Sequence, residues 1–193
     1  MENDGTIYIS PNFSKYDFLN LKLELSSSDK DWQKALEIFD DRFYGRFWGS
    51  IQNLSTNVNV NGFAIMALDC LLIETLLQFD LGVDTTPPAN WRSFSTFLKR
   101  NFPEHFDSVK ASRFYSDIRC GILHSAQTKN NARLTTKNEF VVDLKDDILL
   151  VSVERLTAIL FQYYNEYKNK VLDRNNVTIR RLFINKMNFI CIR

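Results

Sequence analysis

The sequence predicts an all-α fold: a bundle of about five helices, with a small β-hairpin insertion near 132–144 and a short extended N-terminal segment. Apolar residues recur at steps of three and four in four separate segments, which is the spacing of one face of an α-helix, and a fifth segment is apolar on nearly all sides. Glycine and proline are scarce, at six and four of 193 residues. Because 45% of the residues are apolar, the chain can bury a substantial core, and we expect one domain over 1–193.

The first 28 residues lack helical spacing. Residues 6–10 (TIYIS) have the composition of a strand, and Pro11 interrupts them. Leucine then occupies every second position over 19–25, an alternation that is typical of a short strand. We therefore expect 1–28 to be an extended N-terminal segment.

The first two helices are predicted over about 31–54 and 62–79. Ser28 or Asp29 can cap the first helix. Its apolar face consists of Trp32, Leu36, Phe39, Phe43, Phe47, Ile51 and Leu54. The polar residues 57–61 indicate a turn between the two helices. The second helix is apolar on nearly all sides, as the central helix of a bundle would be, and Gly82 ends it.

Two shorter helices follow a loop that is predicted at 85–88. Asn90 can cap the third helix, which ends near Pro103. One side of this helix carries Trp91, Phe94, Phe97 and Leu98. The fourth helix begins near Asp107 and runs to Gly121 or His124. Its apolar positions are Ala111, Phe114, Tyr115, Ile118 and Ile122.

Residues 125–150 change character and predict the hairpin insertion. The β-prone pieces 133–136 and 140–144 are joined by Lys137 and Asn138, and 145–147 forms a polar turn. Ser152 can cap a fifth helix that ends within 172–176. Residues 174–193 then form a basic C-terminal tail, with five basic residues and no acidic ones, so the net charge of +1 leaves −4 for residues 1–173.

Composition excludes several functions. A net charge of +1 argues against broad clamping of nucleic acid or of an anionic membrane. The most apolar stretch, 62–79, contains Asp69 and Glu74, and the N-terminus lacks the pattern of a secretory signal, so we expect a cytoplasmic protein without a membrane segment. Three scattered cysteines fit reduced thiols. Two histidines without metal-ligand spacing predict that no metal or other cofactor is bound.

Arg119 and His124 form the pair of residues with the clearest chemical use. Five residues along a straight α-helix correspond to a rise of about 7.5 Å and a rotation of about 140°, so the two side chains are not expected to stack on one face. A phosphate that approaches along the flank of the helix can still contact both. An imidazole can take the proton from a ribose 2′-hydroxyl, and a guanidinium can stabilise charge on the phosphate oxygens without a metal.

The stretch RCGILH at 119–124, on the last core helix before a break in a helical bundle, resembles the R-x4-6-H signature of HEPN domains. The long helices before it agree with the four-to-five-helix fold of that family. The resemblance implies a bacterial, metal-independent endoribonuclease in toxin–antitoxin, phage-defence or RNA-processing roles. It also implies a homodimer in which two such motifs meet, with RNA and an antitoxin or other protein as further partners. Cys120 stands where many active members have Asn, Asp or His.

Further residues are assigned to this site around catalytic Arg119 and His124. The supporting set is Cys120, Glu74, Asp69 and Tyr115. The two carboxylates lie in an apolar helix, where an unpaired charge is expensive, so each is expected to pair with Arg119 or Arg113. The candidate RNA-binding residues are Arg42, Arg46 and Arg113. For the pair on the first helix, a solvated helix face is the alternative interpretation.

Two classes of function remain open. One is the endoribonuclease, in which His124 transfers protons and Arg119 stabilises the transition state. The other is a non-catalytic HEPN-like module that dimerises or binds a protein partner or a nucleotide, with purely structural roles for both residues. Glycoside chemistry by Asp69 and Glu74, and a nucleophilic Cys120, each lack a second supporting feature.

Overall fold

A computed structural model describes residues 6–86, 90–137 and 139–192 and is mostly helical. Its α-helices are α1 Lys15–Leu19, α2 Asp29–Phe43, α3 Gly49–Ser55, α4 Val58–Leu81, α5 Asn90–Asn101, α6 Ser108–Arg113, α7 Cys120–Ser125, α8 Val153–Leu172 and α9 Val177–Ile192. Two π-helical turns, Tyr44–Trp48 and Phe114–Arg119, join α2 to α3 and α6 to α7. The strands are β1 Arg133–Thr135, β2 Val142–Lys145 and β3 Ile148–Ser152. The predicted predominance of helix is confirmed.

The chain forms two compact units, each built from separate segments. Unit 1 consists of Met1–Ser50, Gln78–Thr85 and Asn165–Arg193, and unit 2 consists of Ile51–Leu77 and Thr86–Tyr164. The long helices α4 and α8 contribute residues to both units.

An aromatic cluster forms the core of unit 1. Ser28 caps α2 through a capping box with Asp31, which confirms the predicted start of this helix. The apolar face of α2 then buries Phe39, whose ring centroid lies 4.9 Å from that of Phe79 and 5.5 Å from that of Phe183. Aromatic pairs at such distances add about 0.5–1.5 kcal/mol beyond their buried area.

The predicted strands of the N-terminal segment are absent from residues 6–28. A capping box between Ser14 and Asp17 starts the short helix α1 instead, and this helix includes Leu19. Residues 6–10 make only an isolated bridge, between Tyr8 and Ser14. The leucine alternation does not follow burial, because Leu23 is buried while Leu19 and Leu25 are exposed.

The predicted basic tail is wrong for the described residues 174–192, because most of them form the packed helix α9. Its buried face carries Phe183, Met187 and Cys191. Arg180 is also buried and donates hydrogen bonds to the carbonyls of Val171 and Leu172, both at 2.9 Å. Arg180 thus satisfies carbonyls that the end of α8 would otherwise leave without donors. Arg193 lies outside the described residues.

The hairpin has different partners from those predicted. Strand β3 is central, pairing in parallel with β1 and antiparallel with β2. The hairpin therefore joins β2 to β3 through Asp146 and Asp147, which both have positive φ, as two-residue hairpin turns require. The predicted pairing of 133–136 with 140–144 is wrong because both segments pair with β3. Asn138, in the predicted connection, lies outside the described residues.

Helix α4 begins at Val58 rather than at Gly62, so the turn predicted over 57–61 is wrong for all but its first residue. Gly82 ends the helix with φ +62°, as predicted. In the described part of the chain, α4 is the one helix whose length and composition would suit a membrane span, and 44% of its most apolar window is buried. Core helices of globular proteins meet the same criteria.

The loop before α5 is described only in part. Pro87 and Pro88 lie outside the described residues, as does the side chain of Asn90, the predicted cap. Helix α5 does begin at Asn90, and it buries Phe94, Phe97 and Leu98 as its spacing predicts, whereas Trp91 is 45% exposed.

Candidate active site

The candidate site lies on a continuous helix over 108–125, within unit 2. Asp107 caps this helix by accepting hydrogen bonds from the backbone N–H groups of Val109 and Lys110, both at 2.8 Å. The π-helical turn Phe114–Arg119 includes Tyr115 and Arg119, and the N–H of Cys120, directly after it, donates to the carbonyl of Tyr115. Such π-turns occur frequently at functional sites.

Arg119 and His124 are in contact, although their spacing on a straight helix predicts otherwise. Arg119 Nη1 lies 3.4 Å from His124 Nε2. The long arginine side chain closes the gap between the two backbone positions. Because a guanidinium only donates, this contact requires Nε2 to accept and the imidazole proton to lie on Nδ1. His124 is exposed, so its ring is accessible to a substrate.

Glu74 holds the guanidinium from the other side. Its Oε2 accepts a hydrogen bond of 2.5 Å from Arg119 Nη2, and the two side chains are 18% and 12% exposed. This contact confirms the predicted pairing of Glu74 with an arginine of the fourth helix. Thr86 Oγ1 donates to Glu74 Oε1 at 3.2 Å. Burial lowers the pKa of Arg119, but the bond to Glu74 and its charge outweigh burial and raise that pKa above its ordinary value.

Tyr115 and Cys120 flank the same guanidinium. The Cζ atom of Arg119 lies 5.5 Å from the centroid of the Tyr115 ring, within the range of a cation–π interaction. Burial raises the pKa of Tyr115, and the neighbouring Cys120 raises it further. Cys120 is a half-buried free thiol. Four predicted residues, Arg119, Glu74, Tyr115 and Cys120, are therefore close together.

Asp69 does not pair with an arginine, so that part of the prediction is wrong. Its Oδ2 lies 2.7 Å from Thr157 Oγ1, and this hydroxyl also lies 3.0 Å from the carbonyl of Val153. Burial raises the pKa of Asp69 to about 7. A carboxyl that keeps its proton needs no counter-charge, which explains how Asp69 can be fully buried without a cation.

Arg113 anchors the chain that follows His124. It donates to Asp117 Oδ2 at 2.9 Å, to the carbonyl of Asn130 at 3.0 Å, and to both the carbonyl and the carboxylate of Asp147. The buried Asp117 also accepts from the Asn130 amide at 2.9 Å. These bonds give Arg113 a structural role, and contact with RNA by Arg113 stays a prediction. Neither Asn130 nor Thr86 was predicted, since neither has a local sequence signal.

A groove of about 650 Å³ opens in unit 2 beside the end of α7. Residues 126–128, which directly follow α7 in the chain, form one wall. The start of α4, including Val60 and Phe63, and the strand residues 134–136 form the others. The other two candidate RNA-binding residues, Arg42 and Arg46, belong to unit 1.

Gly121 allows residues 127–129 to cross closely over α7, and an alanine there is expected to destabilise the protein by about 1–3 kcal/mol. A Cβ atom at Gly121 would overlap the carbonyl oxygen of Gln127 and come within 3.2 Å of Thr128 Cα, and backbone atoms cannot easily move away. Gly62→Ala is the matched control. Its Cβ would make only an ordinary contact, at 3.5 Å from Val153, so it should stabilise α4 by up to about 1 kcal/mol.

Urea denaturation of both variants measures this difference. Equal unfolding midpoints for Gly121→Ala and the wild type would contradict the close approach.

No group of three or more His, Cys, Asp or Glu side chains suited to a metal ion occurs within 6–86, 90–137 and 139–192. Comparison of the chain with protein-family models, with curated proteins and with solved structures found no match.

Proposed function

We propose that unit 2 carries a metal-independent endoribonuclease site of the HEPN type, with Arg119 and His124 as catalytic residues. The observation that carries the proposal is the 3.4 Å approach of an exposed imidazole to a guanidinium that Glu74 already orients. Proton transfer and stabilisation of phosphate charge are the two functions that RNA cleavage needs at one phosphodiester.

The reaction is an attack of the ribose 2′-oxygen on the adjacent phosphorus. The phosphate oxygens take the Nη1 donor of Arg119 away from His124 Nε2, which frees the lone pair of this nitrogen to accept the 2′-hydroxyl proton. Nη1 then bonds the phosphate oxygens as their negative charge grows. The bond from phosphorus to the 5′-oxygen then breaks, which leaves a 2′,3′-cyclic phosphate and an oxygen that needs a proton. Glu74 is a positioning residue, because it holds Nη2 and leaves Nη1 on the side of the imidazole.

A second copy of the chain supplies the proton for the leaving group. One imidazole cannot act as base and acid in the same step, so we place two copies of His124 across a two-fold axis. The exposed apolar face of α4 supports such a homodimer. Val60 and Leu71 are 74% and 43% exposed on one side of this helix, and Glu74 follows less than one turn later.

The groove beside α7 is the proposed place for the RNA chain on either side of the cut. Thr128, Thr135 and Asn59 offer polar contacts within it, and Phe63 offers an aromatic ring. The toxin–antitoxin or phage-defence setting rests on the HEPN resemblance. The cytoplasmic location rests on the sequence pattern of the N-terminus and on the three free thiols, which fit a reducing compartment.

Incubation of the purified protein with a mixed RNA pool in EDTA tests the reaction. We expect cleavage that persists in EDTA and products with 2′,3′-cyclic phosphate ends. A substrate with 2′-deoxyribose at the cut position should remain intact because it lacks the attacking group. Loss of cleavage in EDTA, or products with 3′-hydroxyl ends, would contradict the mechanism. Light scattering of the same sample should show a dimer, and a strict monomer at tens of micromolar would count against the shared site.

A non-catalytic binding module is the second candidate. The bond between Arg119 and Glu74 favours it, because a guanidinium whose charge is already neutralised binds phosphate less strongly. Intact RNA after incubation, together with a stable dimer, would favour the module over the enzyme.

A further inference from the structure

A second concave site lies in unit 1 and is rich in positive charge. It is a pocket of about 370 Å³ whose charged lining residues are Arg42, Arg46, Lys186 and Asp84. Three cations thus face one carboxylate among the described lining residues. The volume falls within the usual range of small-molecule sites, about 300–1,000 Å³.

The fold holds two of these cations partly inside the protein. Lys186 is only 5% exposed, and its Nζ donates to two uncharged oxygens, Gln78 Oε1 and the carbonyl of Asp84, both at 2.7 Å. Arg42 is half-buried and donates through Nη1 to the carbonyl of Ile9. The carbonyl of Ile9 fixes the position of the Arg42 charge without neutralising it.

Arg46 adds a third positive charge one helical turn after Arg42. It is exposed and makes no ion pair or hydrogen bond with the described part of the chain. Like charges four residues apart on a helix repel each other. Burial and the charge of Arg46 together lower the pKa of Arg42 to about 10, so the two guanidinium groups are a pair of like charges that a bound anion would stabilise.

The remaining walls of the pocket are mostly apolar. Ile7, Ile9 and Ile190 line it, together with the ring of Tyr8. A ligand that fits both the basic and the apolar walls has an anionic group that binds the arginines and an organic moiety that packs against the apolar wall. Arginine pairs bond phosphate through parallel N–H groups, which favours a phosphate over a carboxylate head.

We propose that unit 1 binds a small phosphate-bearing organic molecule, of about the size of a nucleoside monophosphate, with its phosphate on Arg42 and Arg46. The pocket includes neither Arg119 nor His124, and the proposal does not depend on RNA cleavage. It gives Arg42 and Arg46 a role other than the RNA binding that the sequence predicts for them. Bound phosphate supplies the negative charge that the pocket lacks, and the Tyr8 ring packs against the organic part.

Isothermal titration of the full chain with AMP, inorganic phosphate and adenosine tests the proposal. We expect saturable binding of AMP, weaker binding of phosphate and no binding of adenosine. Arg46→Gln should weaken AMP binding about tenfold or more, because a bond to a charged group is lost. Arg46 is exposed, so this variant is expected to fold. Arg181→Gln removes another exposed arginine of unit 1 outside the pocket and should leave affinity unchanged.

Two results would overturn the proposal. One is the absence of saturable binding of both AMP and phosphate at millimolar concentration. The other is an equal loss of AMP affinity in Arg46→Gln and Arg181→Gln, which would show that the loss follows from the lower net charge of the protein. Equal affinity for AMP and phosphate would overturn the role of the apolar wall and of Tyr8. Tighter binding of AMP, lost in Arg46→Gln alone, supports the whole assignment.

Discussion

Asp69→Asn is expected to stabilise the protein at pH 8 by up to about 4 kcal/mol and to flatten the dependence of its stability on pH. Burial raises the pKa of Asp69 from 3.8 to about 7, and each pKa unit corresponds to about 1.4 kcal/mol. As the pH rises above about 4, the unfolded chain releases this proton while the folded chain keeps it. Stability therefore falls up to about pH 7 and then stays level.

The hydrogen bonds around Asp69 agree with a protonated carboxyl. The Thr157 hydroxyl has one proton, and it lies close to both the Val153 carbonyl and Asp69 Oδ2. Burial raises the pKa of Asp69, and the bond that Thr157 Oγ1 donates to Asp69 Oδ2 at 2.7 Å lowers it by less, so the carboxyl keeps its proton. Asp69 Oδ1 has no hydrogen-bond partner in the described part of the chain, which a neutral oxygen tolerates better than a charged one. In Asp69→Asn, the side-chain amide is uncharged and provides an N–H donor at the position of the carboxyl proton.

Urea denaturation of the wild type and Asp69→Asn at intervals between pH 5 and pH 8 measures the effect. The difference in unfolding free energy should grow by about 1.4 kcal/mol per pH unit up to pH 7. Asp146→Asn is the matched control, since it changes an exposed aspartate in a turn that asparagine also accommodates. Parallel curves for the wild type and Asp69→Asn would show that Asp69 is ionised in the folded protein.

Loss of the side chain of His124 or of Arg119 is expected to reduce the rate of the proposed RNA cleavage by a factor of about 10² or more. General acid–base catalysis contributes about 10²–10⁴ in rate, so His124→Ala should fall in this range. Arg119→Ala should lower the rate as much, but it also removes the ion pair of the half-buried Glu74 and can therefore destabilise the protein. Arg119→Lys keeps the charge, loses the paired N–H geometry and provides the variant that folds. Glu74→Gln should reduce kcat less than either, because Glu74 only positions the guanidinium.

Single-turnover rates, with circular dichroism as a check on folding, measure these losses. His105→Ala removes the other histidine of the chain and should retain full activity. Cys120→Asn installs the residue type that many HEPN members have there, and it should hold or raise the rate. Unchanged cleavage in His124→Ala and Arg119→Lys would remove the catalytic assignment and leave both residues with structural roles.

The spacing of apolar residues predicted the helices, because the residues of one helical face lie within a few turns of each other in the sequence. The apolar residues at these spacings from Trp32 to Ile51 and from Phe94 to Leu98 are buried as predicted. Helix α9 had the same signal, with Phe183, Met187 and Cys191 at steps of four. The basic residues of α9 suggested a solvated tail instead. A sequence does not distinguish a solvated arginine from one that, like Arg180, donates to the carbonyls at the end of another helix.

Strand pairing was not predictable in the same way. The central strand β3 meets one partner across a two-residue turn and another from more than ten residues away. No local pattern distinguishes these partners, since all three strands have similar β-prone composition.

By itself, the sequence determined the mostly helical class, the starts of α2 and α6, the end of α4 and the need of Glu74 for a cation. These follow from local caps, from helical spacing and from the cost of burying a charge. Tertiary structure decided that Arg119 is that cation, that Asp69 keeps a proton instead, and that Arg180 and Lys186 lie inside unit 1. These three results depend on how deeply each side chain is buried and on which residues, distant in sequence, lie close to it. Both are fixed only when the chain has folded.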